Sequence, residues 1–309
     1  IKMTSNNSRF SVVCFGETLW DFLPEGKLPG GAPVNVAYHL KQLGKNPAVV
    51  TRIGDDELGK ELKEVFESKN IDTRFFQVDE EHSTGKVFAT LKEDNEVEYE
   101  IVQPVAWDFI ESNNEVKQLV GAADYFVFGS LASRNEKSRN SLLHCLGFAK
   151  TKVLDINLRP PHFTKEIVTQ LMEHADMLKL NLSELHLISG WFADLNSEEE
   201  MVNLLQKKFN LKTIIVTKGG DGAMLFMKGA FYYHPGYKVK VADTIGSGDS
   251  FLAAMISKLI DGTSPAEALD FASALGALVT SRTGACPGYE ISDIIALMES
   301  KEAGDSINF

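Results

Sequence analysis

The chain predicts an α/β fold, a central, mainly parallel sheet flanked by helices, with a small β-sheet set apart from it. Three observations carry this. Short apolar runs alternate with helix-like stretches along almost the whole chain. Two helices open directly behind small-residue turns, Gly30-Gly31 and Gly246-Ser247-Gly248. One region, roughly residues 84–104, breaks the rhythm with two consecutive β-like runs.

In order, Ser11-Val-Val-Cys-Phe15 reads as a short buried strand stopped by Gly16. Pro33 to Leu43 reads as a helix entered through Gly30-Gly31 and ended by Gly44. Ala48 to Ile53 is the next strand and Leu58 to Lys69 the next helix. Gly85 to Leu91 and Val97 to Val102 flank Glu93-Asp94-Asn95-Glu96, a hairpin pattern that Leu19 to Leu23 would extend into the small sheet. Strand and helix then pair again at Tyr125–Phe128 with Asn135–Lys150, at Lys152–Ile156 with Thr164–His174, and at Met177–Leu180 with Ser183–Ile188. Thr213 to Thr217 is a further strand. Phe251 to Ile256 is an apolar helical run, and Ser264-Pro265-Ala266-Glu267 is a capping box opening a helix to about Thr283.

The 309 residues, 44% hydrophobic, suffice for one large core spanning about 9–300, with the extra strands inserted from about 17–29 and 84–104. The polar end segments, 1–8 and 301–309, are expected to be flexible. A formal charge of −12 argues against nucleic acid or an anionic membrane as partner, though not against a nucleotide held by local donors. Three scattered cysteines, Cys14, Cys145 and Cys286, form no C-x-x-C pair and suit a reducing cytoplasm. No apolar run reaches the ~18 residues of a membrane helix, and residues 1–8 lack a signal-peptide core. The seven histidines form no His-Glu-x-x-His pattern, so a catalytic zinc is not expected.

The most informative segment is Val241-Ala-Asp-Thr-Ile-Gly-Ser-Gly-Asp-Ser-Phe251. Small residues before an apolar helix leave unpaired N–H groups at the positive end of the helix dipole, which suits an anion. Asp249 adds a carboxylate beside that place. Two roles are open to it on this segment alone: a proton acceptor next to a transferring phosphoryl group, or a helix cap. No Lys follows Gly248, so the segment is not a Walker A loop.

Asp243-Thr-Ile-Gly-Ser-Gly-Asp-Ser-Phe251 resembles the C-terminal signature of the PfkB (ribokinase-like) sugar kinases, D-T-x-G-A-G-D-x-F, with Ser247 in place of Ala. Gly30-Gly31-Ala32-Pro33-Val34-Asn35-Val36-Ala37 resembles their N-terminal signature, and the match runs from about Phe10 to about Ser292. The resemblance implies a ribokinase-like fold in which the small sheet is a lid over the sugar. It also implies Asp249 as catalytic base, with Gly246, Ser247 and Gly248 forming the anion hole. Asp21, Gly30, Gly31, Asn35 and Arg159, the last in an Asp155-x-Asn157-x-Arg159 pattern, would bind the sugar. Asn181 and Glu184 match an N-x-x-E motif that holds Mg²⁺ through water. Thr217, Lys218, Gly219 and Gly222 match the ATP-binding turn. Asp243, Ile245, Ser281 and Gly284 would hold K⁺, as that loop and the neighbouring Arg282-Thr-Gly-Ala285 do in many relatives. ATP, Mg²⁺ and K⁺ are thus the expected nucleotide and ions, and lid sheets pairing between two copies would give a homodimer; the apolar lid residues Phe88, Val97 and Tyr99 could serve either that partner or the ligand. Within the family the match leans to fructokinase; ketodeoxygluconate kinase, ribokinase or a sugar sensor without chemistry are the alternatives.

Overall fold

The computed structural model describes residues 9–24, 26–91 and 97–303. In chain order, β1 (Val12–Phe15), β2 (Leu19–Leu23), β3 (Gly26–Gly30) and α1 (Ala32–Gln42) are followed by β4 (Pro47–Gly54), α2 (Glu57–Ser68), β5 (Phe76–Asp79), β6 (Gly85–Leu91) and β7 (Val97–Ile101). Next come α3 (Asn114–Ala122), β8 (Tyr125–Gly129), α4 (Glu136–Leu146), β9 (Thr151–Asp155), α5 (Lys165–His174), β10 (Met177–Asn181), α6 (Leu182–Gly190) and α7 (Glu198–Phe209). The chain closes with β11 (Thr213–Thr217), β12 (Ala223–Met227), β13 (Ala230–His234), α8 (Ser247–Ile260), α9 (Pro265–Thr280) and α10 (Ile291–Ala303).

Nine strands form the large sheet in the order β13-β12-β11-β10-β9-β8-β1-β4-β5. It is parallel apart from the β11-β12-β13 edge, whose pairings are antiparallel. The remaining four strands make the separate small sheet, β3-β2-β6-β7. β1 shows why the large sheet needs helices on both faces. Val12 and Cys14 join the core packed with α1, α2, α8 and α9, while Val13 and Phe15 join the opposite core with α3 to α7. A strand buried on both faces reads as an unbroken apolar run, which is how it stands in the sequence.

The expected alternation is present with the expected order. The helix expected to reach Thr283 ends at Thr280, because the chain turns there: Arg282 N–H returns to the Val279 carbonyl, and Gly284 sits at φ 80°. The β12–β13 hairpin was not read from the sequence. Its turn is Lys228-Gly229, both at positive φ (53° and 78°), a geometry more often announced by Asn-Gly. β5, α3, α7 and α10 also went unread, and β3 lies in the 17–29 span expected to supply strands of the small sheet. The expected turn at Glu93–Glu96 lies outside the described residues. Among the described residues no helix is long and apolar enough to cross a membrane.

Candidate active site

Strand order reverses between β8 and β1: the chain winds toward β4 and β5 on one side, and toward β9, β10 and β11 on the other. In open α/β sheets the crevice at the carboxyl ends of the strands, at such a switch point, is where ligands bind. Here it collects Glu17 just after β1, Ser130 after β8, Asp155 and Asn157 at the end of β9, and the start of α1, all lining one narrow cavity. Both signature loops open onto this region. Gly31 caps α1 at φ 122° and Gly246 caps α8 at φ 76°, conformations that favour glycine.

α1 and α8 pack against each other and bring Asn35 and Asp249, 214 residues apart in sequence, into contact. Asn35 Nδ2 donates to Asp249 Oδ2 at 2.9 Å, and the Cys286 thiol donates to Asn35 Oδ1 at 3.4 Å. Asp249 is only 9% exposed. Burial, reinforced by the nearby charge of Asp155, raises its pKa to about 6 against the pull of Lys179, Asn35 and Arg159. Its side chain is engaged by Asn35, and the cap position belongs to Gly246, so the helix-cap role left open by the sequence is not the one Asp249 plays. Among the described residues the N–H groups of Gly246, Gly248 and Asp249 meet no acceptor, and Ser247 N–H reaches Thr244 O only at 3.4 Å. Unpaired donors at a helix start therefore lie beside a buried, hydrogen-bonded carboxylate.

Of the expected sugar residues, Asp21 sits on β2 with its carboxylate against the α-carbon of Gly30 on β3. Burial raises its pKa to about 6, with Arg159 acting in the opposite direction. Arg159 is exposed, its guanidinium donating to Leu158 O at 3.1 Å, and its charge reaches Glu17, Asp21 and Asp249 alike. Gly31 lies on the backbone of Glu17 and Thr18, with no room for a side chain.

Sequence reasoning counted Gly16-Glu17 within the fructokinase resemblance but gave Glu17 no place in the site. It is 4% exposed, its Oε2 finds no partner among the described residues, and burial raises its pKa to about 7. The Ser130 hydroxyl, on the same cavity, is likewise unpartnered. A glutamate next to a glycine carries no signal of its own in one sequence. Lys179 was missed. On β10 it is 6% exposed, and its Nζ donates to Asp155 Oδ1 and Oδ2 at 2.8 and 2.9 Å.

Glu184 closes the other side of this group. With Asn181 it forms a capping box on α6: Glu184 N–H donates to Asn181 Oδ1, and Asn181 N–H to Glu184 Oε2, at 2.9 and 2.8 Å. Its Oε1 accepts from Leu158 N–H at 2.7 Å, where Asn157 at φ 41° has turned the chain back. Burial raises its pKa. An ionised carboxylate has about four lone-pair sites, so each oxygen keeps room for one more donor. That fits a hold on Mg²⁺ through water.

On the nucleotide side, Thr217 ends β11, and Lys218 N–H donates to Gly222 O at 2.8 Å to close the turn. Gly219 and Gly222 take positive φ, and Gly222 lies directly on the His234 carbonyl. The Lys218 ammonium is paired with Glu198 of α7. Asp243 clamps two loops, accepting from Ile245 N–H at 2.9 Å and Gly284 N–H at 3.0 Å. The carbonyls of Ile245, Ser281 and Gly284 accept no hydrogen bond among the described residues. A set of carbonyls beside a carboxylate fits a hard cation. Among the described residues no three His, Cys, Asp or Glu side chains gather as a metal cluster.

The family model for pfkB family carbohydrate kinases matches residues 11–291. The chain belongs to this family. Probable fructokinase-7 of Arabidopsis thaliana is 30% identical over 96% of this chain and 94% of its own, and probable fructokinase-5 of the same plant is 31% identical over 94% and 98%. Among solved structures, Xylella fastidiosa fructokinase with bound ATP superposes with a TM-score of 0.83 at 22% identity, covering 94% of this chain and 98% of its own. A Vibrio cholerae O395 fructokinase with fructose, ADP and calcium ion bound gives 0.81 at 23% identity, covering 94% and 100%. The small sheet is thus the second sheet of a ribokinase-like fold, as expected from the sequence.

Proposed function

We propose that this kinase transfers the γ-phosphoryl group of ATP to the primary hydroxyl of D-fructose, giving fructose 6-phosphate. The observation that carries this reading is the buried Asp249 carboxylate, held by Asn35 beside the unpaired N–H groups at the start of α8. The names of the curated relatives support fructose as the sugar. In this reading Asp249 takes the proton as the hydroxyl oxygen forms its bond to the γ-phosphorus and the bond to ADP breaks. Asp21, Asn35 and Arg159 orient the sugar, with the backbones of Gly30 and Gly31 close beneath it. The N–H groups of Gly246 to Gly248 stabilise the oxygens of the transferring group. Thr217, Gly219 and Gly222 shape the nucleotide turn, and Lys218 borders it. Asn181 and Glu184 would hold the waters of Mg²⁺, which offsets phosphate charge when bound. Asp243 with the carbonyls of Ile245, Ser281 and Gly284 would hold K⁺.

The chain is read as one kinase domain over about 9–300, with the small sheet as its lid. Leu28 and Phe88 are exposed on that sheet, Phe88 stacked on Phe22 at 5.1 Å, and support pairing of two lids as a homodimer. Sedimentation analysis tests this, with a monomer at micromolar concentration counting against it. Three unpaired thiols are in keeping with a reducing, cytoplasmic setting, and fractionation of the cells that make the protein tests it. A coupled ADP-release assay with Mg²⁺ and K⁺ compares fructose, ribose, ketodeoxygluconate, adenosine and fructose 6-phosphate. Preference for fructose supports the proposal; turnover of another sugar alone overturns the specificity and leaves the mechanism.

A further inference from the structure

The side chain of Lys179 is buried within the fold, with Asp155 on one side and the first turn of α8 on the other. Asp155 grips two of its three N–H donors through both carboxylate oxygens. On the other side lies the first turn of α8, where a methyl group on Gly248 would come 3.0 Å from Nζ and 3.6 Å from Cε. Gly248 does not sit at positive φ, so backbone conformation does not explain its lack of a side chain. A side chain there would press on the ammonium. Burial works against the charge of Lys179, but Asp155, with Asp249 and Glu184, outweighs it and holds the ammonium above the ordinary lysine range.

We propose that Lys179 is a positioning residue for phosphoryl transfer: a fixed cation beneath the Gly246–Gly248 loop, oriented by Asp155, that strengthens the loop's hold on the transferring group. This rests on the reading of that loop as the anion hole. The Asp155–Lys179 pair is neutral overall but directional. Its positive end meets α8 at the N-terminus, so its field adds to that of the helix dipole. A dipole fixed in advance in a buried site needs no reorganisation as charge develops, which is the condition for large electrostatic effects on rate. The same placement assigns Asp155 to holding Lys179 rather than to the sugar.

Removing the ammonium alone would leave Asp155 buried without a partner and damage the fold. The informative variant is therefore D155N/K179M, which replaces the ion pair with neutral groups. Its melting temperature is expected within a few degrees of wild type, with KM for fructose nearly unchanged and kcat lower by about 100-fold, the scale of losing one oxyanion donor. Binding of ADP with aluminium fluoride and fructose should weaken by a similar factor while ADP alone binds as before. A purely structural pair would move neither kcat nor the aluminium fluoride affinity, and full kcat in the double variant overturns the proposal. Should that variant fail to fold, Gly248→Ala displaces the ammonium by a few tenths of an ångström, and wild-type affinity for ADP with aluminium fluoride would overturn it equally. Asp249→Asn run in parallel separates the two readings. Its activity surviving would sink the proposed transfer mechanism with Asp249 as its base, whereas its loss beside an active D155N/K179M would sink the role of Lys179 alone.

Discussion

Asp249 and Asp243 stand six residues apart on either side of Gly246 and live in different surroundings. Asp249 is buried in the crevice, bound by one neutral side chain, with its pKa raised to about 6. Asp243 is half exposed and spends both oxygens on backbone N–H groups of two loops. A carboxylate stripped of water and given few donors is basic enough to take a proton. One that stays half exposed, with a backbone N–H on each oxygen, serves as a clamp instead. The same side chain is made reactive or structural by how much of its water the fold removes.

Exchanging the first carboxylate has the largest expected effect. Asp249→Asn should lower kcat by about 10²–10⁴-fold, the usual cost of a lost general base, while fructose still binds by calorimetry. In the wild type kcat/KM should decline as pH falls through about 6, because the base must be charged and its pKa is raised to that value. The residual activity of Asp249→Asn should lack this limb. A variant with wild-type kcat would erase the distinction between the two aspartates.

Asp243→Ala sharpens the other half. It leaves the N–H groups of Ile245 and Gly284 without their acceptor, so stability should drop by about 1–3 kcal/mol in denaturant titration. KM for ATP and the response to K⁺ should worsen several-fold with little change in KM for fructose. A selective fructose defect would place Asp243 on the wrong side of the site.

Glu17 extends the comparison to a carboxyl that is buried more deeply, where burial outweighs the backbone N–H groups of Glu17 and Ala32 that favour its charged form. An unfolded glutamate loses its proton near 4.5, whereas burial holds the Glu17 proton up to about 7. Between those values the native state binds a proton the unfolded state has lost, so stability falls as pH rises through that window, by on the order of 3 kcal/mol. Glu17→Gln should remove this fall, flattening melting temperature between pH 5 and 8. An unchanged pH slope in that variant would show that Glu17 is not the group responsible.

The smallest effect is expected at Lys218, whose ammonium is paired with Glu198 near the surface. Lys218→Ala should cost at most about 1 kcal/mol of stability and shift KM for ATP only slightly. A large rise in that KM would mean that the ammonium leaves Glu198 for the phosphates when ATP binds.

How legible each feature was follows from its range along the chain. The Gly246-Ser247-Gly248 start of α8, the capping box at Ser264 and the end of α1 at Gly44 are local events, decided by residues a few positions apart, and they stand where expected. The Asn181–Glu184 box is local as well, yet the sequence did not show that Glu184 also receives Leu158 N–H from the neighbouring strand's loop. Lys179 stood in the apolar run Met177-Leu-Lys-Leu180, where a lysine reads as a solvated interruption. Nothing near it in sequence predicts a buried charge, since its partner lies 24 residues away on β9. Glu17 is alike: its burial depends on α1 and β8 closing around it.

By itself the sequence determined the α/β class, the order of most elements, the family and the two glycine loops, because periodicity, caps and turns act over single turns or strands. The tertiary structure alone decided which polar groups lose their water together. Asn35 meets Asp249 only because α1 packs on α8, and Asp155 grips Lys179 only because β9 and β10 are neighbours. Desolvation depends on everything that surrounds a group, so the basicity of Asp249 arises with the packing of the whole crevice.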